Sequence, residues 1–208
     1  MTRFFDIIFS FLGLIILTPF FIIIAFCIAF SSQGGVFYTQ KRVGQHNRDF
    51  ALFKFRTMCI GADKKGLLTV GAKDARITNI GYFLRKYKLD ELPQLWNVLT
   101  GEMSLVGPRP EVRKYVDLYN DEQKHILDVR PGITDYASIA YKNENSILAQ
   151  SENPEKQYVE EIMPKKLQLN LRYIEHQSLK EYFKILFITG LSLVSHYRCA
   201  GWIYLERD

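Results

Sequence analysis

The hydrophobic pattern divides the chain into two unequal parts. From Ile7 to Phe30 no side chain is charged, and Ile, Leu, Phe and Ala dominate, which is long enough for a membrane helix. Pro19 falls near the middle, where it removes a helix hydrogen bond, and the hydroxyl of Thr18 is placed to serve a carbonyl freed in this way. Each half holds about eleven residues, roughly 16 Å of helix, and neither alone crosses a hydrocarbon layer of ~30 Å. Two arrangements follow: one kinked span, or a bent helix that enters and leaves on the same face. The run exceeds the ~7–15-residue apolar region of a cleavable leader, so no leader is expected. A loop from Ser31 to Gly35 closes it, giving an anchor over residues 1–35 and a domain over 36–208.

Beyond the anchor the pattern becomes mixed. Val36–Val43 and Phe50–Met58 predict two strands around a turn at Gly44–Arg48. In the second, period two sets Lys54 and Arg56 on one face and Phe53 and Phe55 on the other. Gly61–Ala75 is charged and glycine-containing, a loop by composition. A helix follows, capped by Thr78 or Asn79, with Ile80, Phe83, Leu84 and Tyr87 on one side and Arg85, Lys86 and Lys88 near its end. Asp90 then suits an N-cap, its carboxylate accepting the N–H of Leu92, with Pro93 in the first turn. Leu92, Leu95, Trp96 and Leu99 form an apolar face over Glu91–Leu99, and Gly101 stops the helix. Val112, Val116, Tyr119, Ile126 and Leu127 form a stripe broken near Asn120-Asp121. Asn153-Pro154 and Met163-Pro164 predict helix starts. The last stretch, Ser178–Ser195, mixes Lys180, Glu181 and Lys184 with Phe183, Leu186, Phe187 and Leu191, as expected of a helix packing on a membrane surface. The fold class expected is α/β: a small, mostly helical domain with a short β-hairpin or sheet.

Charge narrows the partners. The 208 residues carry a formal net charge of +5, which fits an anionic membrane surface or an anionic substrate. No nucleic-acid-binding motif accompanies it, so nucleic acid is not expected. Lys41 and Arg42 place the domain on the cytoplasmic side. Cys27, Cys59 and Cys199 are odd in number and scattered, which favours a reducing compartment. His46, His125, His176 and His196 are equally dispersed and predict no metal site. Neither a P-loop nor a dinucleotide-binding glycine motif is present.

The candidate chemistry gathers in KLDELPQLWNVLTGEMSLVGPRP, Lys88–Pro110, where Asp90 and Glu91 precede an arginine, Arg109, held between two prolines. An anionic pair at a helix start that also attracts phosphate suggests phosphate chemistry, but composition alone favours a common helix cap and a rigid connection. The segment resembles the signature of the bacterial sugar transferase family, the monotopic polyprenyl-phosphate phosphoglycosyl transferases. VFYTQKRVG followed by FKFRTM, and RPGIT at Arg130–Thr134, resemble further landmarks of that family. After Thr134 the likeness weakens: DYASIAYKNEN departs from the usual text, and Lys142 stands where an arginine is expected.

The resemblance implies a re-entrant membrane helix broken at Thr18-Pro19, seated in a bacterial inner membrane with the catalytic domain on the cytoplasmic face. It implies transfer of a sugar 1-phosphate from a nucleoside diphosphate sugar, a UDP-sugar in the first instance, to a polyprenyl phosphate such as undecaprenyl phosphate. Asp90 would be the nucleophile, carrying the phosphosugar covalently and releasing UMP; Mg²⁺ would assist, with Asp90 as its ligand. Arg85, Arg109, Lys54, Arg56 and Lys142 would hold phosphates. Glu91 would tune Asp90, bind the metal or handle a proton. Two other readings use the same residues differently: a membrane-tethered sugar-nucleotide hydrolase, and a non-enzymatic membrane-anchored interaction protein.

Overall fold

The computed structural model describes residues 2–31, 34–62, 68 and 74–194. Most of the loop expected over Gly61–Ala75, together with Ser195, His196 and Cys199, lies outside them.

Helix α1 (Thr2–Ser31) runs through Thr18-Pro19 without interruption, about 45 Å at 1.5 Å per residue. By length and composition it is sufficient to cross a membrane. The Thr18 hydroxyl donates to the carbonyl of Leu14 at 2.7 Å. That is its own i−4 carbonyl, not that of Ile15, whose partner Pro19 removes, so the hydroxyl does not repair the gap as the sequence suggested. Phe11, Ile16, Phe20, Phe26 and Phe30 point outward.

Strands β1 (Phe37–Val43) and β2 (Asp49–Phe55) pair antiparallel, Phe37 opposite Phe55 and Val43 opposite Asp49. Helix α2 (Asn79–Lys86) is capped by Thr78, whose side chain accepts the N–H of Gly81. Lys88 then turns left-handed, φ 58°, and throws the chain into a 3-10 turn over Leu89–Glu91. Helix α3 (Gln94–Thr100) ends at Gly101, φ 95°, a conformation glycine adopts freely.

The face of α3 that is buried is not the apolar one. Gln94, Asn97 and Val98 are enclosed while Trp96 is about half exposed, and Leu95 packs against Gly13 of α1. Asn97 has a structural reason to point inward: its Oδ1 accepts the N–H of Phe53, and its Nδ2 donates to the carbonyl of Ala51 and to Glu102. It thereby satisfies the edge of β2 away from β1, beside which no strand lies among the described residues.

A second, parallel pair follows. Strand β3 (Ser104–Val106) pairs with β4 (Gly132–Thr134), Ser104 beside Gly132 and Val106 beside Thr134. A Cβ on Gly132 would lie 2.1 Å from the nitrogen of Gly107, so only glycine lets the two backbones approach this closely. The sequence predicted neither strand.

Seven further helices complete the described domain: α4 (Arg113–Val116), α5 (Asp121–Lys124), α6 (Tyr136–Ala140), α7 (Glu144–Leu148), α8 (Pro154–Gln157), α9 (Met163–Glu175) and α10 (Leu179–Val194). Asn153 caps α8 with Pro154 in its first turn. Tyr182 and Ile185 of α10 are buried, while Phe183, Phe187 and Leu191 are exposed; Phe183 lies against α1, its ring meeting that of Phe5 at 5.0 Å.

The anchor helix is tied to the domain at both ends. Near its start, Asp6 is enclosed, and its Oδ1 accepts from the Ser104 hydroxyl, the Leu105 N–H and the Tyr182 hydroxyl. Arg3 donates to the carbonyls of Val98 and Leu99 at the end of α3. Near its other end, Ile28 is buried against Phe55 and Leu84, and Phe21 meets Phe55 edge-on at 5.2 Å.

Candidate active site

The acidic pair is positioned by the left-handed turn at Lys88. Because the Leu92 N–H already bonds to the carbonyl of Leu89, and that of Glu91 to Lys88, Asp90 does not cap a helix as its sequence position suggested. The helix begins at Gln94, three residues after the pair. Asp90 is 7% exposed, and its Oδ1 has no hydrogen-bond partner among the described residues. Burial and the neighbouring charge of Glu91 push its carboxyl above the usual range, against the pull of Lys54, Arg85 and Lys88.

Glu91 is placed differently. It forms an ion pair with Arg109, which also donates to the carbonyl of Ile133 at 3.2 Å. Burial acts to raise the Glu91 carboxyl, but Arg109, Lys54 and Lys88 outweigh it and hold the group ionised well below the ordinary carboxylate range. The charge of Glu91 in turn raises the Arg109 guanidinium above its usual value. The backbone at Arg109 is fixed by Asp135, whose Oδ2 accepts its N–H at 3.1 Å. Adjacent carboxylates thus divide the work: one is neutralised by a fixed guanidinium, and the other keeps an unpartnered oxygen.

A cavity of about 990 Å³ opens over this pair. Lys54, Arg56, Arg85, Arg109 and Lys142 all line it. Lys54, Arg85, Asp90, Glu91 and Arg109 form an electrostatically coupled group. Burial lowers the Lys54 amine to about 8, opposed by the charge of Glu91. Arg56 and Lys142 have their donors directed to backbone. Arg56 donates to Gly35 at 2.6 Å and to Phe37 at 3.2 Å, beside the ring of Tyr38. Lys142 donates to the carbonyl of Ser192 in α10.

Further along the wall, Arg42 pairs with Glu111 at 2.9 Å, Glu111 accepts from the Tyr158 hydroxyl, and Lys166 pairs with Glu144 at 2.7 Å. None of these pairings was read from the sequence. Their partners lie tens of residues apart, and no local spacing announces them.

The donor set suits a hard cation. Among the described residues no group of three His, Cys, Asp or Glu side chains converges, and Glu91 is engaged by Arg109. The free oxygen of Asp90 nevertheless fits Mg²⁺, which takes one or two protein carboxylates and completes its shell with substrate phosphate and water.

Comparisons with known proteins identify relatives of the chain. The profile described as bacterial sugar transferase matches residues 1–196. The chain is 40% identical over 141 residues to a UDP-N-acetylgalactosamine-undecaprenyl-phosphate N-acetylgalactosaminephosphotransferase of Aeromonas hydrophila, covering 65% of this chain and 33% of that protein. It is 42% identical over 120 residues to a putative undecaprenyl-phosphate N-acetylgalactosaminyl 1-phosphate transferase of Bacillus subtilis (strain 168), covering 58% of this chain and 67% of that one. To a UDP-glucose:undecaprenyl-phosphate glucose-1-phosphate transferase of Xanthomonas campestris pv. campestris it is 37% identical over 193 residues, 91% of this chain and 38% of the relative. The chain therefore spans about a third of the length of two of these relatives and two thirds of the third.

Proposed function

Since the chain belongs to the bacterial sugar transferase family, we propose that it transfers a sugar 1-phosphate from a UDP-sugar to undecaprenyl phosphate, through a covalent intermediate on Asp90. The observation that carries this reading is the Asp90 carboxylate, enclosed, with one oxygen unpartnered, among Lys54, Arg85 and Arg109. A structural carboxylate at that depth has its oxygens paired.

In the first step an oxygen of Asp90 forms a bond to the β-phosphorus of the donor. The bond from that phosphorus to the bridging oxygen breaks, and UMP leaves with its electrons. In the second step an oxygen of the acceptor phosphate attacks the same phosphorus, the acyl–phosphate bond breaks, and Asp90 returns as carboxylate beside a polyprenyl diphosphate sugar. An acyl phosphate is a good donor, so one difficult displacement becomes two easier ones. Lys54, Arg85 and Arg109 hold the diphosphate charge, and Glu91 keeps Arg109 aimed into the cavity. Mg²⁺ held by Asp90 would supply further neutralisation of that charge.

The same reading seats α1 as a re-entrant helix. Hydrogen bonds from the domain to Asp6 and packing of Ile28 on Phe55 support it. A helix crossing ~30 Å of hydrocarbon would carry one of those ends away from a domain that stays on one side. A long polyprenol leaves the bilayer at a cost of about 0.8 kcal/mol per methylene, so the site must stand at headgroup height.

Intact mass spectrometry tests the chemistry. The purified chain with a panel of UDP-sugars and Mg²⁺, without lipid acceptor, is expected to gain one sugar phosphate, to lose it on addition of undecaprenyl phosphate, and to gain nothing as Asp90→Asn. Product formed with no adduct at any time would sink the covalent route, and UMP release that ignores the acceptor would favour hydrolysis.

A further inference from the structure

The cavity that holds Asp90 contains two polar side chains for which the transfer described above has no use. Asn170, on α9, is 5% exposed. Neither its amide oxygen nor its nitrogen is hydrogen-bonded among the described residues, and the oxygen is fully enclosed. Ser138, on α6, has its hydroxyl oxygen enclosed and unpaired in the same way. Both line the cavity, and α6 packs on α9, so the two groups belong to one wall. Enclosed amides and hydroxyls are almost always paired. What completes a pair facing a cavity of this volume is a bound molecule.

The position of this wall relative to the acidic pair is set by Asp135. Its Oδ2 holds the backbone N–H of Arg109 at 3.1 Å, and its Oδ1 holds that of Ser138 at 2.5 Å. Contacts therefore link Glu91 through Arg109 and Asp135 to Ser138, and α6, which carries Ser138, packs on α9. In-line displacement at phosphorus places the leaving group opposite the attacking oxygen. A nucleotide expelled by Asp90 consequently points away from the Leu89–Glu91 turn, toward the wall that carries Ser138 and Asn170. The wall offers an amide, with one donor face and one acceptor face, and the rings of Tyr141 and Tyr158 also line the cavity. That combination suits a planar heterocycle presenting N–H beside C=O.

Resting on the donor reading above, we propose that Asn170 and Ser138 bind the nucleoside half of the donor, with the Asn170 amide paired to the imide edge of uracil. Neither residue touches the reacting phosphorus; together they orient the leaving group and select its base. The test uses the full chain in detergent, titrated by calorimetry with UMP and separately with inorganic pyrophosphate, as wild type, Asn170→Leu and Ser138→Ala. Leucine matches the branching of asparagine and needs no partner, so Asn170→Leu is expected to unfold at a temperature no lower than wild type. It should bind UMP roughly tenfold more weakly, the scale of one or two lost hydrogen bonds, with pyrophosphate affinity unchanged. Ser138→Ala should weaken UMP in the same direction by less. UMP affinity equal to wild type in both variants would overturn the assignment, as would parallel losses of UMP, pyrophosphate and thermal stability, which mark a packing role. Loss of UDP-sugar binding alone, with UMP intact, would move the pair to the sugar and overturn it too. A wild-type chain that binds neither UMP nor pyrophosphate would remove the donor reading and this inference with it.

Discussion

Lys54 carries a testable consequence at the scale of a single side chain. It reaches the cavity without a hydrogen bond among the described residues, and burial brings its amine down to about 8. As a phosphate contact it loses its charge as pH rises through that value, so the apparent KM for the donor should climb on the alkaline side. Lys54→Arg, which stays charged, should flatten that limb; a KM that rises identically in both would show that another group titrates. The effect on stability has its own sign. The folded-state value lies below the unfolded one, so the unfolded chain binds the extra proton and folded stability increases as pH climbs from about 8 toward the ordinary lysine value. Asp90 acts at the other end of the scale: under the proposed reading its raised carboxyl is ionised when it attacks, so the rate should fall with acidification at a higher pH than an exposed aspartate would give. The acidic pair and Arg109 stand out in the sequence as unusual residue types close together. Asp135, Ser138 and Asn170 do not, because an N-cap, a helix serine and a helix asparagine look ordinary until their neighbours are known.

Among the elements, local signals were reliable where a cap or a period defines the structure. Thr78 caps α2, Gly101 ends α3, and the hairpin follows its alternating pattern. They failed where the partner is remote. Strands β3 and β4 have three residues each and pair across 107–131 of intervening chain, too short for any periodicity to register. They failed again at α3, whose polar face turns inward because Asn97 completes the edge of β2 and whose apolar face meets α1. The clamp at Asp6 belongs to this scale. Asp6→Ala leaves Ser104, Leu105 and Tyr182 with unpaired donors in an enclosed place, and should cost about 3 kcal/mol, given roughly 1–3 kcal/mol for each buried group left unsatisfied. Chemical unfolding of the full chain in detergent measures it; a loss below half that figure would mean water or a neighbour takes over the carboxylate's role.

For the whole molecule, the outward apolar residues of α1 are bordered by Phe37, Phe83, Tyr87, Trp96 and Phe187, all exposed. Aromatic side chains of this kind favour the boundary between hydrocarbon and headgroups. The proposed seat places both ends of α1 on the side of the domain. In a background free of native cysteine, Thr2→Cys should therefore react with an impermeant thiol reagent from the same membrane face as Glu122→Cys on α5. Labelling of the two from opposite faces would make α1 a span and discard the re-entrant arrangement.

Because the domain grips its anchor at Asp6 and again at Ile28, it cannot rise, sink or tilt without giving up one of those contacts. Under the proposed reading, the depth at which Asp90 meets an acceptor is a constant of the fold, and the search for that acceptor becomes a lateral one within a thin sheet. Reaction frequency then scales with the number of acceptors per unit area of bilayer, and the far end of the prenyl tail contributes little once its phosphate floats at the right level.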